Sequence, residues 1–222
     1  VMIDGLMAEG LLPDGGPTCY YYAGRLQQFP VAMVAVAATS AVFPLLQAHA
    51  QGRDFMATRK LHDRTQRAIA FWALPATCGL WILAEPVVSV CLGGGEFGPE
   101  GVARTSEALR LLALTILPVG ASGLLARTYY SMGDMKTPVR ISSVMLIANV
   151  VLNVVFIRNF GMDVAGLALA SAITAWGNLL LLFPGLGGRL GLPAAADPLL
   201  GPLVRMGLAA AVCGLVAGVT HD

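Results

Sequence analysis

The sequence predicts an all-α, polytopic helical membrane protein, and three observations carry that reading. Of 222 residues, 56% are hydrophobic and only 12% are charged, where soluble domains usually carry about 25% charged residues. Mean hydropathy is +0.72. Apolar windows recur over 20–46, 68–92, 108–130, 141–157, 164–183 and 203–219, close to the roughly 20 residues that a spanning helix needs. A closed barrel would instead show alternating segments of about ten residues. Counting truncated ends, the pattern amounts to about five complete and two partial transmembrane helices. The chain opens at Val1 and closes at Asp222 within patterns that look unfinished, so a longer protein is expected around it.

The first stretch, residues 1–12, carries Asp4 and Glu9 in an apolar background and stops at Leu12-Pro13-Asp14-Gly15-Gly16-Pro17, a turn-rich break. It reads as the tail of a helix, its two acids either solvated or turned toward a polar cavity. The next helix, residues 18–48, contains Pro30 and Pro44, each of which can bend it. Residues 51–67 read as a polar, amphipathic connector, with Arg53, Arg59, Lys60, Arg64 and Arg67 against Asp54 and Asp63. Such an excess of bases marks a cytoplasmic loop. A helix over 68–92 follows and ends in residues 93–100, a glycine-rich turn with acids and no base, expected outside.

From Gly101 a helix begins with Arg104 and Glu107 spaced to pair at i, i+3. It turns apolar and leaves the bilayer at 127–130, and residues 131–140 bring three nearby bases, Arg127, Lys136 and Arg140, to the cytoplasmic side. Pro138 stands where a new helix would begin. The fifth segment places Asn149 and Asn153 four apart on one face, for hydrogen bonds to a neighbouring helix or for lining a cavity. Residues 158–163 connect to a small-residue helix, 164–183, whose Gly166, Ala170 and Thr174 permit close approach of a partner. Residues 184–198 read as a linker, and 203–219 hold a glycine pair at i, i+4, Gly214 and Gly218, a common helix-contact pattern.

Several chemistries are excluded. The bases sit in short clusters between apolar helices, with no basic face, so nucleic acid is not a predicted partner. Cys19, Cys78, Cys91 and Cys213 stand singly without metal-ligand spacing and read as packed thiols. The glycine run at 93–95 has neither the lysine nor the preceding strand of a phosphate loop. His49, His62 and His221 are not grouped with acids or cysteines, so no metal, no cofactor and no enzymatic constellation is predicted. That leaves Arg25, one arginine within Tyr20-Tyr21-Tyr22-Ala23-Gly24-Arg25-Leu26, a run that otherwise reads as membrane-embedded. A guanidinium near mid-bilayer costs about 2.5–3.5 kcal/mol on insertion scales, so it needs a wet cavity or an anion. Base counting puts Arg53, Arg59, Lys60, Arg64, Arg67, Arg127, Lys136, Arg140, Arg189 and Arg205 on one side against Arg104, Arg110 and Arg158. The helix of Arg25 then runs inward, with Arg25 in its outer part, within reach of a central cavity.

The residues Tyr21-Tyr22-Ala23-Gly24-Arg25-Leu26, Phe43-Pro44-Leu45, Gly95-Glu96-Phe97, Tyr130-Ser131-Met132-Gly133-Asp134-Met135-Lys136-Thr137-Pro138 and Asn149 to Asn153 resemble, in order, the C-terminal half of the MurJ (MviN) lipid II flippases, members of the MOP exporter superfamily. The resemblance implies fourteen helices, as two six-helix lobes around a cavity and two further helices forming a groove for the lipid tail. Residues 1–186 would form the C-terminal lobe, from the end of helix seven to helix twelve. Residues 187–198 would form a cytoplasmic linker, and 199–222 the start of the additional helix pair. It further implies a lipid II flippase in the bacterial inner membrane, working by alternating access in peptidoglycan biosynthesis, with lipid II and membrane lipids as partners. Substrate binding is expected at Arg25, Tyr22 and Gly24, with Asp4, Glu9, Asn149 and Asn153 as candidate polar residues of the cavity. One position departs from the family, which usually has an aspartate where Gly24 stands. The rival readings are a drug or oligosaccharide exporter of the same superfamily, which should carry acids within its helices, and a membrane transferase, which should cluster acids or histidines at a membrane face. Here the only acid within the internal helices is Glu85, near an outer end, and the one large loop offers a single histidine, His62.

Overall fold

The computed structural model describes residues 2–13, 15–94 and 97–189. Nine α-helices follow among these residues: α1 Met2–Leu11, α2 Gly16–Val31, α3 Ala37–Gln51, α4 Phe55–Ile82, α5 Ala84–Leu92, α6 Pro99–Ala113, α7 Ile116–Ser131, α8 Lys136–Phe160 and α9 Val164–Arg189, with a π-helical segment, Ala32–Val36, joining α2 to α3. The spans of α8 and α9 are each long and apolar enough to cross a bilayer alone. Three further crossings form if α2 with α3, α4 with α5, and α6 with α7 are each one bent span. The protein is thus a polytopic helical membrane protein. The glycine pair at 214 and 218, the segment 199–222 and most of the expected linker lie outside the described residues; α9 itself runs to Arg189.

Two expected single helices are broken, and proline chemistry gives the reason. Proline lacks an N–H, and its ring collides with the carbonyl four residues earlier. Pro86 therefore ends α4 at Ile82, and α5 leaves at 69° with Pro86 in its first turn. Pro118 acts on Leu114, so α6 stops at Ala113 and α7 restarts at Ile116, bent by 40°. After Pro30 the chain widens into the π-helical segment and bends by 43°, whereas α3 passes through Pro44 unbroken.

The connector expected over 51–67 is mostly helix. Only Gly52–Asp54 is irregular, and α4 starts at Phe55 with Asp54 Oδ1 accepting from Ala57 N at 2.9 Å. His62, expected near a loop, is buried in α4, its Nδ1 2.9 Å from Thr128 Oγ1 of α7. Arg104 does not pair with Glu107; it reaches Asp163 in the α8–α9 turn and ties that turn to α6, while Glu107 faces outward. The turn before α8 is closed by Asp134, whose Oδ1 accepts from the N–H groups of Lys136 and Thr137, both at 3.1 Å.

Packing follows membrane logic. In α8 the buried residues are Pro138, Asn149 and Asn153, while Val144, Ile147 and Val151 are exposed. An apolar outside and a polar inside is the arrangement hydrocarbon selects. One core cluster joins α1, α2, α5, α6 and α9 through small residues, among them Ala8, Ala23, Ala84, Ala108 and Ala168, which let backbones approach closely. A middle layer unites Ala73, Ala113 and Ile116 with Val31, Val34, Leu80 and Leu117, so the π-helical segment and the α6–α7 break lie in one layer with α4.

That layer carries polar seals at the α6–α7 break. Thr115 Oγ1 donates to Leu112 O at 2.7 Å, Thr77 Oγ1 of α4 donates to Ala113 O at 3.2 Å, and Gln27 Nε2 of α2 donates to Thr115 Oγ1. Thr115→Val keeps the side-chain shape but leaves the Gln27 amide unpartnered. It should lower stability by about 1 kcal/mol, and adding Gln27→Leu should recover most of that loss. Thermal unfolding of the purified single and double variants checks both; an unchanged midpoint for Thr115→Val would show that the seal contributes nothing.

Candidate functional site

The face of α2 that carries Arg25 is the one not used for packing among the described residues. Cys19, Tyr20 and Ala23 are buried against α6 and α9, and helical spacing then turns Tyr21, Arg25 and Gln28 outward. Tyr21 and Arg25 are one turn apart and meet, as i, i+4 pairs do. Arg25 Nε and Nη2 both donate to Tyr21 Oη, at 2.9 and 2.7 Å, and the guanidinium carbon lies 4.9 Å from the Tyr21 ring centre. Nη1 makes a longer bond to Gln28 Oε1 at 3.4 Å. Among the described residues, every polar partner of Arg25 belongs to its own helix.

Beside this cation lies a groove of about 530 Å³, walled by Leu26 and Phe29 of α2, Gly79 and Leu80 of α4, and Leu83 and Val87 at the α4–α5 bend. Arg25 is the one charged residue in its lining; the others are aliphatic, aromatic, proline or glycine. A single planar donor fork at the edge of a hydrocarbon wall suits an anionic group attached to an apolar body.

The other candidate residues are spread more widely. Tyr22 packs edge-on against Tyr21 and against Phe97, with ring centres 5.8 and 6.0 Å apart, rather than lining the groove. Gly24 neighbours Arg25, and a Cβ placed there would meet nothing within 4 Å. Glu9 is exposed on α1, and the side chain of Asp4 lies outside the described residues. Asn149 and Asn153 are buried beside α9: Asn149 Nδ2 donates to Thr174 Oγ1 at 3.3 Å, and Asn153 Nδ2 to Asn149 Oδ1 at 3.1 Å. Asn153 Nδ2 also approaches Met7 Sδ of α1 at 3.7 Å. The two amides thus hold helices together and stand apart from the groove. Among the described residues no three or more His, Cys, Asp or Glu side chains gather as a metal site.

A family profile described as lipid II flippase MurJ matches residues 1–221. The chain belongs to the lipid II flippase MurJ family. Among curated MurJ relatives, a probable lipid II flippase MurJ from Vibrio cholerae is 34% identical over 191 residues, 84% of this chain and 35% of that protein. Another from Bdellovibrio bacteriovorus is 32% identical over 202 residues, 82% of this chain and 37% of that protein. The Burkholderia cenocepacia lipid II flippase MurJ is 31% identical over 178 residues, 80% of this chain and 34% of that protein. The chain therefore spans about a third of the length of these relatives. In fold it is similar to a solved structure titled "Lipid II flippase MurJ, inward closed conformation", with a TM-score of 0.79 and 21% identity over 95% of this chain and 42% of that one.

Sequence reasoning picked out Arg25 but not the hydroxyl that holds it. Tyr21 was visible as the residue one turn earlier; only the choice between Tyr21 and Tyr22 needed the helix phase that buried Tyr20 and Ala23 set. The groove walls contributed by α4 and α5 lie more than 50 positions away from Arg25 and depend on the bend at Leu83, which has no local signal near Arg25. Because Tyr21 is exposed and Gly24 faces open space, Tyr21→Phe and Gly24→Asp should each change stability by no more than about 0.5 kcal/mol. A clear fall in unfolding midpoint for either would mean that this face of α2 is packed in the protein.

Proposed function

We propose that this chain forms the C-terminal lobe of a flippase that moves lipid II from the inner to the outer leaflet of the bacterial inner membrane by alternating access, with Arg25 as a ligand of the pyrophosphate. It would act as a transporter and not as a catalyst of chemical change. Membership of the MurJ family supports the substrate class. The observation that carries the role of Arg25 is its setting: an arginine at the edge of an apolar groove, bonded among the described residues only to Tyr21 and Gln28 of its own helix. An arginine that the fold required would tie α2 to another element, as Arg104 ties α6 to the α8–α9 turn.

In the full-length protein, Arg25→Ala should abolish lipid II export while leaving folded protein in the membrane, and Arg25→Lys should be clearly impaired, because lysine keeps the charge but loses the bidentate fork. Gly24→Asp recreates the family's acid beside Arg25, and its export should be equal or higher. Export per membrane-inserted molecule is the readout. Wild-type export per molecule in Arg25→Ala would rule out the ligand role, and loss of abundance in proportion to activity would point to a structural one.

The orientation follows from the bases of α4 and of the α7–α8 turn, which we place on the cytoplasmic side. Met56, exposed at the start of α4, offers the reporter: Met56→Cys in a thiol-free background should resist an impermeant reagent in intact cells and react in opened ones. Labelling from outside would reverse the topology.

A further inference from the structure

We propose that the groove beside Arg25 is a second half of the same site, and that it seats the first apolar units of a prenyl chain whose pyrophosphate Arg25 holds. This rests on the reading of Arg25 as a pyrophosphate ligand and adds to it a hydrocarbon subsite on α2, α4 and α5. Three observations lead there. The groove's volume of about 530 Å³ falls within the roughly 300–1,000 Å³ typical of sites for small organic ligands. Its lining is hydrocarbon apart from one cation at the edge, so charge complementarity selects an amphiphile with its anionic group next to the chain. Its depth comes from two features of the fold: the 69° bend that carries Leu83 and Val87 away from α4, and Gly79, which leaves a stretch of wall without a side chain.

A prenyl pyrophosphate fits this arrangement better than a bulk phospholipid. Its anionic group is bonded directly to the chain, with no glycerol between them, and Leu26 and Phe29 lie within one turn of Arg25 on the same helix. The Nε–Nη2 edge of the guanidinium is held by a neutral hydroxyl, Tyr21 Oη. A phosphate oxygen can displace that acceptor and make the stronger, charge-assisted pair.

Gly79 provides the test. A Cβ at this position meets nothing within 4 Å, so Gly79→Leu puts its side chain into the groove without a clash and with a better helix-forming residue. The full-length protein in phosphatidylcholine nanodiscs is titrated with geranylgeranyl pyrophosphate and with inorganic pyrophosphate. Gly79→Leu should weaken the prenyl ligand about tenfold, the loss of roughly two buried methylenes, and leave inorganic pyrophosphate unchanged; Gly79→Ala should lie between this variant and the unmodified protein. Arg25→Ala should weaken both ligands. Unchanged prenyl affinity in Gly79→Leu, or an equal loss for both ligands, overturns the subsite. Displacement of the prenyl ligand by phosphatidylglycerol at equal concentration also overturns it, making the groove a general lipid seat. Undiminished binding of both ligands in Arg25→Ala sinks the pyrophosphate reading beneath it, a result distinct from failure of the groove alone.

Discussion

Hydrocarbon offers no hydrogen-bond partner, so any bend in a membrane helix survives only where protein atoms satisfy the backbone groups that the bend releases. Three helix pairs among the described residues are bent in this way, and the interior is organised to meet that demand. At the α6–α7 break the carbonyls of Leu112 and Ala113 accept from Thr115 and from Thr77 of α4, and Gln27 of α2 closes on the Thr115 hydroxyl. At the α4–α5 bend the ladder is barely interrupted: Leu83 N donates to Gly79 O and Val87 N to Leu83 O, both at 2.9 Å. The bend thus reorients the chain at little cost in unpaired backbone, and the space it opens is the groove at Arg25.

Arg25 is the residue that this economy does not explain. An arginine within a membrane-spanning helix carries an insertion cost of about 2.5–3.5 kcal/mol near mid-bilayer, and its bonds to Tyr21 and Gln28 offset that only in part, since exposed pairs on one helix contribute about 0.2–0.5 kcal/mol each. By contrast, Arg104 has a carboxylate partner in Asp163 and joins two elements. The two arginines share a chain and differ in setting. One is paired with a carboxylate, whereas the other is held by a phenol and an amide, neither of which neutralises it.

How much of this was legible depended on the range of the interaction. The apolar windows, Arg25, and the buried amides at 149 and 153 follow from composition and spacing. The breaks before Pro86 and Pro118 follow from proline chemistry, but so would breaks before Pro44 and Pro75, which α3 and α4 pass through. Tertiary packing decides which prolines interrupt a helix, and one sequence does not contain it in local form. The i, i+3 pairing of Arg104 with Glu107 failed for the same reason: Asp163, 59 positions away, makes the tighter partner. The basic stretch at 51–67 misled in another way, because an amphipathic helix with exposed bases and buried Thr58, His62 and Thr65 has the composition of a loop and the periodicity of a helix.

On the proposed reading of Arg25 as a phosphate ligand, the hydroxyl of Tyr21 would give the site a physical property that neither a bare arginine nor an ion pair has. A carboxylate on the Nε–Nη2 edge would neutralise the guanidinium and compete with any incoming phosphate, charge against charge. A phenol orients the same edge and leaves the net charge intact, so an anion exchanges a neutral acceptor for a charged one and gains the difference. Release would reverse the exchange, and the vacated donors would return to Tyr21 instead of being left unpaired. The transport proposed above needs this balance, since a site that binds too tightly retains its cargo and one without an internal acceptor leaves a bare charge after release.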